Sequence, residues 1–318
     1  MKKFSLLVMM VCFAVVLAAC GTNPAKETNS SNKETVKEEP KELTMKHQLG
    51  ETTVKVNPKK VVVFDFGILD SLDKLNIEVT GVPQANIPPY LSKFEDDKYV
   101  NVGSLKEPDF EKINEIGPDL IIISARQQEA YKELSEIAPT IYLGVDPSKY
   151  MESFTDNMET IGKLFEKEKE IAKELESIDQ SIKQLKEKAT ADEKNSLVVL
   201  ANDGNISAFG PGSRFGLIHD VFGFKAVDEN IEISRHGQSV SFEYVIEKDP
   251  EYLFVIDRGA VVGGQSSAKQ IIENSLIKNT TAYKNNHIIY LDPNYWYLSG
   301  GGLVSVPEMI KEIEKGIE

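Results

Sequence analysis

Three arginines stand just beyond strand-like runs of sequence, and a guanidinium fork is the side chain best shaped to hold an oxyanion. Two of them sit in matching segments, FEKINEIGPDLIIISAR from Phe110 and FEYVIEKDPEYLFVIDR from Phe242. In each, Phe-Glu opens a helical pattern, and a Pro-acid pair follows eight residues after the Phe (Pro118-Asp119, Pro250-Glu251). A strand comes next, and an arginine falls seven residues after the acid, at Arg126 and Arg258. Either arginine alone reads as a surface residue after a strand. The same offset in both halves points to pseudo-symmetry and to a cleft, because ligands of open α/β sheets gather beyond the carboxyl ends of the strands.

The third, Arg214, lies in AFGPGSRFGLIHDVFGF, where strand-like Ile206 to Phe209 runs into a glycine-rich turn and a helix. Amides at such a helix start are suited to anions. Lys106 and His236, each just before one of the Phe-Glu helices, are candidates to add charge or merely to be solvated. Glu111 and Glu243 occupy equivalent helix starts, where a carboxylate suits the dipole. Their equivalence also fits a pair of acidic knobs for a two-subunit partner. Trp296, between Tyr295 and Tyr297, reads either as a core anchor or as a cleft residue, and its place after the strand-like His287 to Leu291 tips the reading toward the cleft.

Other chemistries find little support. Ser213 has Pro211 where a nucleophile elbow needs glycine, and Ser266 in GGQSSA departs from that motif too. His47, His219, His236 and His287 form neither a triad pattern nor a HExxH site. No His, Asp or Glu cluster has metal-site spacing, so neither catalytic residues nor protein metal ligands are expected. Gly210, Gly212 and Gly216 make GxGxxxG, one residue too long for a dinucleotide fingerprint.

The elements that position these residues follow from the pattern. At 318 residues the chain exceeds what one core usually holds, so two lobes are expected. Residues 1–19 carry Lys2 and Lys3, an apolar run, and the small pair Ala18-Ala19, which reads as a secretory signal. Leu17-Ala18-Ala19-Cys20 has the form of a lipobox, making Cys20 the expected lipidation site and the membrane anchor. The other cysteine, Cys12, leaves with the signal. The mature chain then has no thiol, hence no disulfide or cysteine nucleophile. Its formal charge moves from -14 to -16 with loss of Lys2 and Lys3, which argues against nucleic acid as a partner.

Residues 20–43 are polar enough to be a flexible tether. From residue 44 onward short strands alternate with helical patterns, giving an α/β class with an N-terminal lobe at 44–150 and a C-terminal lobe at 189–318. Between them, 151–188 places apolar residues at Phe154, Met158, Ile161, Phe165, Ile171, Leu175, Ile178, Ile182 and Leu185, an amphipathic helix of about 50 Å. An interlobe backbone is the simplest reading. A coiled-coil dimerisation segment is the alternative, weakened by a slip of the period after Phe165.

Taken together, the lipobox, the tether, the paired Phe-Glu segments and the long helix resemble the iron-siderophore solute-binding lipoproteins of ABC importers. VGSLKEPDFEKI, DLIIISARQ, NDGNISAFGPGSRFGLIHDVFG, HGQSVSFEY, YLFVIDRG and WYLSGGG carry the likeness across the whole mature domain. It implies two Rossmann-like lobes joined by one long backbone helix, with little hinge closure. The implied ligand is a ferric siderophore of the petrobactin-like catecholate and citrate kind, held as a chelate with no Fe(III) ligand from the protein. Lys106, Arg126, Arg214, His236 and Arg258 would form the cationic cleft, and Trp296 and Tyr297 would flank the ligand's rings. Glu111 and Glu243 would dock on an ABC permease dimer, with the binding protein a monomer on the extracytoplasmic face of the cell membrane. Haem, vitamin B12 or another siderophore class is the alternative ligand, and a secreted hydrolase the rival class.

Overall fold

In the computed structural model residues 41–318 are described. The signal, Cys20 and most of the tether lie outside them. The strands in chain order are β1 (Glu42–His47), β2 (Gly50–Lys55), β3 (Val61–Val63), β4 (Gly81–Val82), β5 (Val100–Asn101), β6 (Leu120–Ile123), β7 (Thr140–Tyr142), β8 (Asn195–Asn202), β9 (Asn205–Phe209), β10 (Lys225–Ala226), β11 (Gln238–Val240), β12 (Tyr252–Asp257) and β13 (Ile288–Leu291). The α-helices are α1 (Phe66–Lys74), α2 (Phe110–Ile116), α3 (Tyr131–Ile137), α4 (Tyr150–Phe165), α5 (Glu168–Asp192), α6 (Leu217–Asp220), α7 (Phe242–Lys248), α8 (Gly259–Val262), α9 (Ala268–Ile272), α10 (Thr281–Lys284) and α11 (Ser305–Ile317).

The first lobe holds an all-parallel five-stranded sheet in the order β5-β4-β3-β6-β7. Its central strands read VVV and LIII and are buried throughout, as strands covered on both faces must be. The second lobe orders its sheet β11-β9-β8-β12-β13, with β10 also beside β8. There β8, β12 and β13 run parallel, while β8 returns antiparallel into β9. Asp203 and Gly204, at φ 48° and 83°, supply the left-handed pair that such a two-residue hairpin turn demands.

Because side chains alternate across a strand, each sheet feeds two cores. Val61, Val63, Leu120 and Ile122 share a continuous core with α4, α5, α11 and the second sheet's Val198, Phe254 and Ile256. Val62, Ile121 and Ile123 face an outer core of the first lobe, and Leu197, Val199, Leu253 and Val255 one of the second. The shared core therefore ties both lobes to the helical spine.

The single helix expected over 151–188 is two helices. α4 ends at Glu166, which caps it in the left-handed region at φ 55°, and α5 begins at Glu168. The slip of the apolar period after Phe165 marks this break. A Cβ on Gly162 would come within 3.3 Å of Glu168 Cα and Ile171 Cδ1, so the glycine lets the two helices meet closely. α5 alone, with Ile171, Ile178, Leu185 and Ala189 buried, spans between the lobes. The expected tether also ends sooner than residue 43. Strand β1 starts at Glu42, where Leu43 opens a period-2 pattern that pairs with Val54 of β2.

The matched segments do the same work in each lobe. Asp109 and Ser241 cap α2 and α7 by accepting from the amides of Lys112 and Tyr244. The acid after each proline then pins the neighbouring strand: Asp119 accepts from the amides of Lys59 and Lys60 before β3, and Glu251 from that of Asn195 at the start of β8. Each lobe thereby fixes the strand, β6 or β12, at whose exit an arginine stands.

Candidate functional site

Arg126 leaves β6 in a short 3-10 turn whose capping box is made by Ser124 and Gln127. Arg258 follows β12 directly, and Arg214 follows β9 in the Gly-Pro-Gly turn. All three converge on Tyr297, which rides on a single π-helical segment, Asn294–Ser299, beyond β13. Such segments recur at functional sites.

The geometry is specific. Arg126 Nη2 donates to the Tyr297 carbonyl at 2.6 Å and Arg214 Nη2 to the same oxygen at 2.7 Å. Arg258 Nε donates to the Tyr297 hydroxyl at 2.9 Å, and its Nη1 to Asn202 Oδ1 at 2.6 Å. The three guanidinium carbons lie 5.9, 4.3 and 5.7 Å from the centre of the Tyr297 ring, within reach of its negative face. Among the described residues Arg214 has one hydrogen-bond acceptor, so most of its donors remain available. None of the three is in a direct ion pair with a carboxylate there.

The electrostatics report crowded, underpaired positive charge. Burial holds the Arg214 guanidinium down at about 10, and the like charge of Arg126 adds to the effect. Arg126 is also lowered, by burial first, with Asp65 and Tyr297 opposing. Asp65, the buried cap of α1, is raised by burial against hydrogen bonds from Ser124 and the Ile68 amide and the charge of Arg126. Tyr297 is pushed up by its burial, yet the Arg258 hydrogen bond and the three positive charges outweigh this and leave its phenol below the usual value. The same positive charges that ease the phenol toward its anion act on any anionic oxygen placed beside them.

A polar network sets the π-helical segment in place. Tyr90 Oη lies 2.7 Å from Ser299 Oγ and donates to Asp70 Oδ2 at 3.2 Å. Asp70, fully buried in α1, accepts from the amides of Val304 and Ser305 at 3.1 Å each, so a carboxylate of one lobe caps a helix of the other. The three glycines of WYLSGGG are needed here. Gly301 adopts φ 95°, and a Cβ on it would meet Val145 Cγ2 at 2.5 Å.

Four sequence expectations take a definite place. Trp296 is a core residue: it is 4% exposed, packs edge-on to Phe222, and donates its indole N–H to Glu312 at 2.8 Å. The alternation of side chains in the π-helical segment sends it inward while Tyr297 faces the arginines. In the Gly-Pro-Gly turn the Gly212 amide does not await an anion, because Asp220 already accepts from it at 2.7 Å. Lys106 is exposed, on a loop held to the Arg126 turn by the Gln127 amide group donating to the Leu105 carbonyl, and touches none of the three arginines. His236 is exposed beside the turn of Arg214, since β11 begins opposite Ala208.

One cation went unread. Arg235, exposed on the loop before β11, adds like charge that lowers both Arg126 and Arg214. Residue usage carried the signal. The chain has 36 basic residues, of which four are arginines, and all four stand at this site.

An α/β pair of lobes on a helical spine, with cations from both lobes meeting between them, defines a solute-binding protein. The chain belongs to the periplasmic binding protein family, whose pattern it matches over residues 61–295. It is 59% identical over 322 residues to the petrobactin-binding protein YclQ of Bacillus subtilis (strain 168), spanning 100% of both chains. The crystal structure of YclQ superposes with a TM-score of 0.86 at 61% identity, covering 87% of this chain and 99% of that one. The periplasmic catecholate-siderophore binding protein VctP from Vibrio cholerae matches with a TM-score of 0.83 at 38% identity, over 86% of this chain and 100% of its own.

Proposed function

We propose that this protein captures a ferric siderophore of the petrobactin class and hands it to an ABC permease, without chemical change to the ligand. The observation that carries the reading is the convergence of Arg126, Arg214 and Arg258 on Tyr297, an underpaired cationic centre in a chain of net charge -14. A ferric complex with catecholate and citrate arms presents anionic oxygens to these forks and aromatic rings to Tyr297. Iron is cargo, held by the chelator.

Capture would proceed by attraction into the cleft, exchange of the Tyr297 carbonyl for ligand oxygens at Arg126 and Arg214, and ring contact. Lys106 and His236, exposed on loops beside these turns, would add charge at the mouth. The core shared between lobes favours small lobe movements. Glu111 and Glu243, exposed at the starts of α2 and α7, would dock on two subunits of the permease. Cys20 would carry the lipid that keeps a monomeric protein on the extracytoplasmic face of the membrane. No helix among the described residues is long and apolar enough to cross it. The test is a tryptophan-fluorescence titration against ferric petrobactin, a ferric hydroxamate, ferric citrate, haem and vitamin B12. Saturable quenching by the catecholate chelate and not by haem or vitamin B12 is expected; the reverse preference would replace the reading with a different ligand on the same fold.

A further inference from the structure

The loop from Ile231 to Gly237 presents two largely exposed side chains, one apolar and one cationic. Ile233 is 65% exposed, the most open of the large apolar side chains among the described residues. Arg235 is exposed and makes no ion pair with a carboxylate there. Yet the loop is anchored on both sides. Ile231 is buried against Gly210, whose Cβ would lie 3.1 Å from Ile231 Cβ, and Gln238 pairs with Ala208 in the sheet. Within the loop, the Ser234 hydroxyl donates to the Gly237 carbonyl and the Gln238 side chain accepts from the Glu232 amide. Ile233 Cδ1 stands 3.3 Å from where Gly212 would carry a Cβ, directly over the turn that delivers Arg214.

The loop thus holds an open isoleucine and an arginine without an ion pair over the turn that leads to Arg214, a pairing of apolar and cationic side chains that suits an amphipathic anion. The pattern of cation use supports this: the remaining 32 basic residues are lysines, and this chain places arginine only where the site is. An arginine fork is suited to bidentate oxygen recognition in a way that a lysine point charge is not.

Building on the function proposed above, we propose that Ile233 and Arg235 form an outer contact for a peripheral arm of the bound chelate, Arg235 taking an anionic catecholate oxygen and Ile233 covering the ring. The pair would thus set preference for chelates with aromatic arms over compact ferric citrate.

The experiment is calorimetric titration of the full chain and of its Arg235→Gln, Arg235→Lys and Ile233→Ser variants with ferric petrobactin and with ferric citrate. Both positions are exposed, so the variants fold, and thermal melts verify it. Arg235→Gln is expected to weaken ferric petrobactin binding by about tenfold, with partial recovery in Arg235→Lys. Ile233→Ser should weaken the aromatic chelate severalfold while leaving ferric citrate within about twofold. If the parent binds and Arg235→Gln stays within about twofold of it, the outer contact is overturned while the function stands. A parent that binds neither chelate overturns both.

Discussion

Arg126 and Arg214 come from different lobes and donate to one oxygen, the Tyr297 carbonyl, at 2.6 and 2.7 Å. On the proposed function, these two like charges on a neutral acceptor would exchange it for an anionic oxygen of the ligand, which would give each fork a charged partner that the protein withholds. Removing one buried arginine strands its anionic partner, and Arg214→Ala should cost about 2–5 kcal/mol of ferric-siderophore binding by calorimetry. Arg126→Ala should lose affinity and also stability, because Asp65 is left buried without its nearby positive charge. Equal affinity in both variants and the parent would remove them from the site.

Tyr297 offers the arginines three things: a carbonyl, a hydroxyl and a ring. Tyr297→Phe keeps the first and last, losing the 2.9 Å bond from Arg258 Nε, and should weaken binding by about 1 kcal/mol. Tyr297→Ala also removes the surface on which three guanidiniums lie and should cost several times as much. Affinities that do not separate the two variants would show that the ring contributes little.

Two buried carboxyls give the fold a pH dependence of its own. Burial pushes Asp70 up to about 7 against hydrogen bonds from Ser305, Val304 and Tyr90. Glu312 is likewise pushed up to about 7 by burial, against bonds from Trp296 and the Asp292 amide. Both folded values lie above the unfolded ones, so between roughly pH 4 and 7 the folded state binds protons that the unfolded chain has released. The contribution of these groups to stability is therefore largest at the acid end and falls as pH rises through that window, by up to about 1.4 kcal/mol per pH unit for each group. Asp228, held down at about 2 chiefly by Lys248, acts below this window. Denaturant unfolding at pH 5 and pH 7.5 should show a smaller difference in Asp70→Asn/Glu312→Gln than in the parent, and an unchanged difference would place the proton linkage elsewhere.

Trp296 separates core from cleft. With its indole buried against Phe222 and bonded to Glu312, Trp296→Leu should destabilise the fold by about 2–4 kcal/mol while leaving ligand affinity within about threefold. A large affinity loss without destabilisation would return Trp296 to the cleft.

Much of this was legible in the chain itself. The repeated Phe-Glu, Pro-acid and arginine spacing is visible because each part has a local job: capping α2 and α7, pinning β3 and β8, and leaving β6 and β12. Arg214 and Tyr297 could be named as candidates, but their meeting could not, since contacts spanning 83 residues depend on how β13 and its π-helical segment pack. The fate of Trp296 was undecidable for the same reason: adjacent residues of an irregular helical turn point opposite ways, and periodicity does not extend to it. The break at Glu166 was present as a slip in the apolar period, although no glycine or proline announced it there. Arg235 was missed because a lone arginine in a polar loop looks solvated until its companions are counted.

Glu111 and Glu243 test the delivery step apart from capture. Both are exposed at equivalent helix starts, so Glu111→Ala/Glu243→Ala should fold with a loss of about 1 kcal/mol or less per helix dipole. Ligand affinity should hold while iron uptake from the siderophore by cells falls. Normal uptake in the double variant would remove their docking role.

The central claim is that one cationic centre, built from both lobes around Tyr297, captures an anionic ferric chelate. Calorimetric titration of the soluble domain beginning after Cys20 with ferric petrobactin tests it most directly, run beside a variant carrying Arg126→Gln, Arg214→Gln and Arg258→Gln. Submicromolar, saturable one-to-one binding by the parent and none detectable by the folded variant is the expected result. Equal binding by both would contradict the claim.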